Sequence, residues 1–255
     1  MRPQSGFSLL ELAIAIVILA AILGSVAVPV ATQVQAKKIK ETEELLEDVK
    51  EALMGFALSN GRLPCPDNDA TAPNPDGIED SPCLVGGAGG GAPSPVEGFL
   101  PWNTLGVNPT DPWGRVLYYS VVDEFTRVQT APACSNNDDD LDLCDNGPPP
   151  GAYINVLGQV GGPNLANNVP AVVVSTGPNG SGGTELAGNI LPAPAGANES
   201  NNLPASATPT QFVLRPYFDD ATAGCVDPAC NFDDLVVWLS TPILFNRMVA
   251  AGRLP

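Results

Sequence analysis

Residues 6–30 read GFSLLELAIAIVILAAILGSVAVPV. A short polar leader, MRPQSG with Arg2 as its one charged side chain, runs into them. From Leu12 to Val30 nothing is charged, a run of 19 positions, enough for a helix to cross about 30 Å of hydrocarbon. A cleaved secretory signal is the first alternative, but its apolar core would be shorter and would end in a small-residue cleavage site. No Ala-x-Ala stands at the end of this run. Glu11 is the odd residue, an acid one turn into an apolar segment. A carboxylate in a bilayer costs on the order of 2.5–3.5 kcal/mol on insertion scales. It either snorkels to the interface or meets a cationic partner that assembly supplies.

Gly6-Phe7-Ser8-Leu9-Leu10-Glu11 followed by an apolar helix resembles the prepilin motif of type IV pilins and type II secretion pseudopilins. In that family a membrane peptidase cuts after the glycine and methylates the new terminal residue, and the glutamate fifth in the mature chain recruits the subunit into a filament. The resemblance implies cleavage between Gly6 and Phe7, N-methylation of Phe7, and an assembly role for Glu11. The α-amine of one subunit would then neutralise Glu11 of its neighbour inside an apolar bundle. It also implies a cytoplasmic leader and a domain on the far side of the inner membrane. Lys37, Lys38 and Lys40 oppose that orientation under the positive-inside rule. The lysines begin beyond the apolar run, and the cysteines favour the oxidising side, so the pilin topology is the expectation.

Outward of Pro29 the pattern turns amphipathic. Ile39, Leu46 and Leu53 recur every seven residues, with Thr42, Val49 and Phe56 three positions later, which predicts a helical seam with charges on the other faces. Glu43, Glu47 and Glu51 stand four apart with like charge, so that face reads as solvated rather than salt-bridged. Asn60-Gly61 and Pro64 end the helix. Pro29 should bend or loosen it.

The rest of the chain is acidic and loop-rich. Formal charge is −17, all four lysines lie before residue 60, and six arginines face 21 acids beyond it. Such a surface repels phosphate backbones, so no nucleic-acid partner is expected. Pro and Gly number 27 and 26, most of them after residue 60, short of the level where disorder is the default. Cys65, Cys83, Cys134, Cys144, Cys225 and Cys230 form no C-x-x-C pair, and the chain has no histidine. That weakens a zinc reading and fits a disulfide framework in an oxidising compartment such as a periplasm. Six cysteines allow 15 connectivities; the local set 65–83, 134–144 and 225–230 is preferred because each pair closes a loop bounded by turn residues.

Strands are predicted at Val116–Val122, Tyr153–Leu157, Ala171–Ser175, Gln211–Leu214 and Leu235–Leu239, each β-branched or aromatic and flanked by turn residues. Thr241-Pro242 reads as the N-cap and first residue of a short helix closing near Gly252. Residues 66–98 and 176–210 read as Gly/Pro/Asn-rich loops. The expected fold is α+β: a long N-terminal helix, its lower half transmembrane, packed on a small, mainly antiparallel sheet with long loops. The expected divisions are leader 1–6, transmembrane and filament-core helix 7–30, amphipathic continuation 31–59 and globular domain 60–255.

The pieces NGRLPCP (60–66), DPWGRVLYY (111–119), VVVSTGPNG (172–180) and FDDLVVWLSTPILFNRMVAAGRLP (232–255) look like proteins related to the major pseudopilin. Major pseudopilins bind calcium in a loop of the form Ser-x-Gly-x-Asp-Gly with later acidic ligands. The resemblance implies a calcium site from Ser175, Gly177, Asn179, Asp233 and Asp234, with Asn179 where the family has Asp. Calcium takes six to eight oxygens, carbonyls included; the alternative is a glycine-rich turn beside a surface Asp pair. A second acidic run, NNDDDLDLCDNG at 136–147, lacks the glycine and distal glutamate of a calcium hand.

No catalytic constellation is legible. Without histidine there is no Ser-His-Asp or Cys-His pair, and no phosphate-binding loop occurs. Adjacent acids such as Asp123/Glu124 and Asp219/Asp220 would point to opposite faces of a strand. The expectation is a non-enzymatic filament subunit, a minor pilin or pseudopilin, with other subunits and prepilin peptidase as partners. The rival is a signal-anchored periplasmic binding module or hydrolase that does not polymerise.

Overall fold

The computed structural model describes residues 9–68, 75–80, 83, 95–127, 153–204, 210–217 and 231–253; within them, the side chains of 21–31 lie outside the description. The chain divides into two units, 1–40 and 41–255. Helix α1 (Leu9–Asn60) is continuous through Pro29.

In the first unit every side chain from Leu9 to Ala20 is exposed, Leu9 at 89% and Val17 at 68%. Among the described residues no helix is long and apolar enough to cross a membrane; the uncharged run continues into residues 21–31, whose side chains are not described.

In the second unit the predicted seam is present. Thr42, Leu46, Val49, Leu53 and Ala57 are buried, at spacings of three and four, with Met54 buried beside them and Phe56 half-buried. Gly61 ends the helix at φ 75, its amide donating to the Ala57 carbonyl at 2.8 Å. The charged faces are not purely solvated. Lys50 pairs with Glu47 at 2.6 Å, and Arg247 reaches Glu51 at 2.8 Å. Such exposed pairs contribute little to stability.

The fold is α+β as expected, with two sheets in place of one. The first orders its strands β1 (Pro95–Phe99), β2 (Tyr118–Val122), β5 (Ala171–Ser175) and β7 (Leu235–Trp238), all antiparallel. The second orders β4 (Asn164–Val169), β3 (Ile154–Leu157) and β6 (Gln211–Val213), with β3 antiparallel to β4 and parallel to β6. Every residue of β2 and β5 is buried, consistent with strands covered on both faces. Val121, Val172 and Tyr119 share one core cluster with Leu46, Val49 and Leu53 of α1 and with Ile154 and Phe212 of the second sheet. Tyr119 also donates its hydroxyl to the Pro64 carbonyl at 3.1 Å, and burial pushes that phenol well up.

All five predicted strands exist, Ala171–Ser175 with the expected bounds and the other four trimmed by one or two residues. Two strands were not foreseen. β1, PVEGF, carries Pro and Gly and falls in a segment expected to be loop, yet it occupies an edge where a proline is tolerated. β4, NLANNV, is Asn-rich and exposed except at half-buried Ala166 and buried Val169, a polar edge strand. The short helices α2 (Trp102–Leu105) and α3 (Ala197–Ser200) were also unforeseen. The last helix, α4 (Thr241–Ala250), begins one residue earlier than expected. Ser240 is its N-cap, and Thr241, already helical, donates its hydroxyl to the Asn168 carbonyl at 2.6 Å. Leu244 and Met248, four apart, are its buried residues.

Cys65 and Cys83 form a disulfide with Cα atoms 5.5 Å apart. Its loop is tied down by Arg62, whose guanidinium donates to both oxygens of Glu79 at 2.8 Å, and by the Gly77 amide donating to Asp67 Oδ2 at 2.6 Å. Gly77 sits at φ 77 with the Trp102 indole where a Cβ would stand, 2.3 Å away, so no side chain fits there. Cys134, Cys144, Cys225 and Cys230 lie outside the described residues, as do Asp219, Asp220 and the run 136–147. Asp123 and Glu124 are buried together in a 3-10 turn rather than on a strand.

Candidate functional site

The pairing of β5 with β7 sets Ser175 opposite Leu235. The loop leaving β5 and the residues entering β7 therefore meet at one end of the sheet. Gly177 makes the approach possible. Its φ is 57, and a Cβ would stand 2.0 Å from the Asp233 carbonyl oxygen.

Three acids converge there. Glu199 on α3 is 2% exposed, Asp233 6% and Asp234 5%, and one potential ligand oxygen from each lies within 4.8 Å of the others. Asn179 ties two of them together, its backbone amide donating to Asp233 Oδ2 at 2.5 Å and its side-chain amide to Glu199 Oε1 at 3.1 Å. The Asp233 amide donates to the same Glu199 oxygen at 3.2 Å. Asn202 Nδ2 donates to Asp234 Oδ2 at 2.9 Å. Asp233 Oδ1 is buried with no hydrogen-bond donor among the described residues.

The buried cation nearby is engaged elsewhere. Arg115 lies 3.6 Å from Asp111 Oδ2 through Nε, and donates through Nη2 to the Gly177 carbonyl. Ser175 Oγ donates to Asp111 Oδ2 at 2.9 Å and accepts from the Gly177 amide at 3.3 Å. Burial, with the Glu199 charge beside it, pushes the Asp233 carboxyl up to about 7, against the lowering effect of the Asn179 amide. Burial and Glu199 likewise raise Asp234 well above the carboxylate range, and Arg115 offsets only a little of this. Buried carboxylates that share so little positive charge take up either a proton or a metal ion.

The donor set fits a hard divalent cation. Oxygens on opposite sides of a calcium ion stand at about twice its 2.3–2.6 Å bond length, and the three carboxylate oxygens are spaced within that span. Of the expected ligands, the fold brings Asn179, Asp233 and Asp234 together. Ser175 and Gly177 stand beside them but turn their oxygens to Asp111 and Arg115, and Asn179 meets the acids through its nitrogens while its Oδ1 accepts from the Ser181 amide at 2.6 Å. Glu199 was missed, because it lies in a segment read as loop. Its one signal was scarcity: Glu185 and Glu199 are the only acids between residues 176 and 210, and Glu185 closes its own small turn with Asn189 at 3.0 Å.

At the amino terminus Gly6 and Phe7 lie outside the described residues, and Glu11 is an exposed residue in the first turn of α1. Residues 1–27 match the family model described as the prokaryotic N-terminal methylation motif, a motif characteristic of type IV pilins and pseudopilins. That match ends before the second unit begins, and the pseudopilin likeness of the carboxy-terminal part gains no support from it. No curated protein and no solved structure matches the chain.

Proposed function

We propose that the chain is a structural subunit of a type IV pilus or type II secretion pseudopilus, inserted in the inner membrane with its globular domain in the periplasm before assembly. The observation that carries this is the methylation motif over residues 1–27, with Glu11 set at the head of an uncharged apolar run. Prepilin peptidase cuts between Gly6 and Phe7 and methylates Phe7. The Phe7 amine of one copy and Glu11 of the next then neutralise each other, which removes the cost of an acid in hydrocarbon. The apolar face of Leu12–Val30 supplies the packing between helices. The globular domain carries no catalytic role in this reading. Its size favours a minor or tip position over the repeating body of a fibre, since a bulky head is harder to repeat.

The site at the end of the first sheet binds calcium in this reading, through Glu199, Asp233 and Asp234, with Asn179 holding two of these acids in place. The ion supplies the positive charge that the buried acids lack, and backbone carbonyls or water complete the oxygen shell.

Mass spectrometry of the mature amino terminus tests the main proposal. The expected species begins at Phe7 and is heavier by one methyl group. A protein that keeps its first six residues, or begins beyond the apolar run, overturns it and favours a signal-anchored module that does not polymerise.

A further inference from the structure

Helix α3 and the turn after it place polar side chains on four separate segments. Asn198 Oδ1 accepts from the Val160 amide at 2.8 Å, in the turn between β3 and β4. Asn201 Nδ2 donates to the Gln211 carbonyl at the start of β6. Asn202 pairs with the backbone of Val213 in both directions, receiving its amide at 2.7 Å and donating to its carbonyl at 2.9 Å. These three grip the second sheet. Glu199, between them, faces the first sheet through Asn179 and the Asp233 amide, and Asn202 spends its second donor proton on Asp234.

The two sheets share no strand pairing among the described residues. The one-turn segment 197–202 therefore acts as a polar strap between them, and the carboxylate by which it holds the first sheet is also the one that lines the cation cluster. Without a cation, Glu199 is held beside the two buried acids through the Asn179 side chain and the Asp233 amide. With a cation, the same three carboxylates are drawn to one centre.

We infer that a divalent cation at Glu199, Asp233 and Asp234 tightens the hold of residues 198–202 on the second sheet, adding to the buried core that already joins the two sheets. The inference rests on the cation reading above and adds to it. Binding is felt not just at the site but at Val160 and Val213, which belong to the other sheet.

Hydrogen exchange on the full-length protein in detergent, in calcium and in chelator, reads this out amide by amide. Val160 and Val213 donate directly to the strap, and Asn179 donates directly at the site. At calcium one hundred times its dissociation constant, all three are expected to slow, by up to about 100-fold. In Asn198→Ala the slowing at Asn179 should persist while that at Val160 is lost. If calcium slows exchange at Asn179 but not at Val160 or Val213 in the wild type, the strap does not transmit binding and the inference fails, with the calcium site intact. If calcium slows none of them, both the site and the inference fail.

Discussion

The backbone amide of Asn179 donates to Oδ2 of Asp233, 54 residues further along the chain. That contact joins the loop after β5 to the approach of β7, and it exists because Gly177 allows the two backbones to touch. The rest of the cluster is arranged around it.

Gly177→Ala should damage both the fold and the site. The substitution puts a side chain at a left-handed φ of 57 and 2.0 Å from the Asp233 carbonyl oxygen. The backbone term alone costs about 1–2 kcal/mol, and relief of the clash must move Asn179 off Asp233. Denaturant unfolding should show the lost stability. Calcium titration should show weaker binding, whereas Gly106→Ala, at φ 71 but in open space, should lose stability only.

Stability in chelator should fall as pH rises from about 5 to about 7.5. Asp233 holds its proton to about 7 in the folded state but ionises near 3.9 when unfolded. Between those values the folded chain binds more protons, so the stability slope against pH is negative. Asp234, raised by the same burial, acts in the same sense. Glu79 has the opposite sign, because Arg62 and the Cys65 amide lower it despite burial, but its effect sets in below about pH 4.5 and lies outside this window. Saturating calcium should abolish the fall, since the ion replaces the proton. Chemical denaturation at the two pH values, with and without calcium, checks the sign; equal midpoints in chelator would contradict it.

Glu11→Ala should leave membrane insertion intact and remove the subunit from filaments. A solitary anchor gains nothing from a carboxylate at this position, so unchanged incorporation in a pull-down of sheared filaments would favour the non-polymerising alternative. Glu11→Asp, which keeps the charge on a shorter side chain, should restore part of the incorporation.

Much of this arrangement was legible in the residues. The three- and four-residue spacing of Thr42, Leu46, Val49 and Leu53 announced a one-faced helix, and burial follows it. The run AVVVS announced a strand, and β5 is one, buried along its length. β1 and β4 were not legible, because PVEGF and NLANNV lack the β-branched alternation that marks a strand and owe their pairing to neighbours already in place. The site divided in the same way. Asp233 and Asp234 stood out as a pair beside a strand, and Asn179 stood out in a glycine turn. Glu199 could not be placed, since what brings it to them is a strap whose hydrogen bonds reach Val160, Gln211 and Val213, contacts with no local periodicity.

The carboxylates of the cluster come from positions 199, 233 and 234, the last two directly before β7. A polypeptide still emerging from its ribosome, or one cut short before β7, therefore cannot possess the pocket at all. Occupancy by an ion would thus report that β7 has been laid against β5.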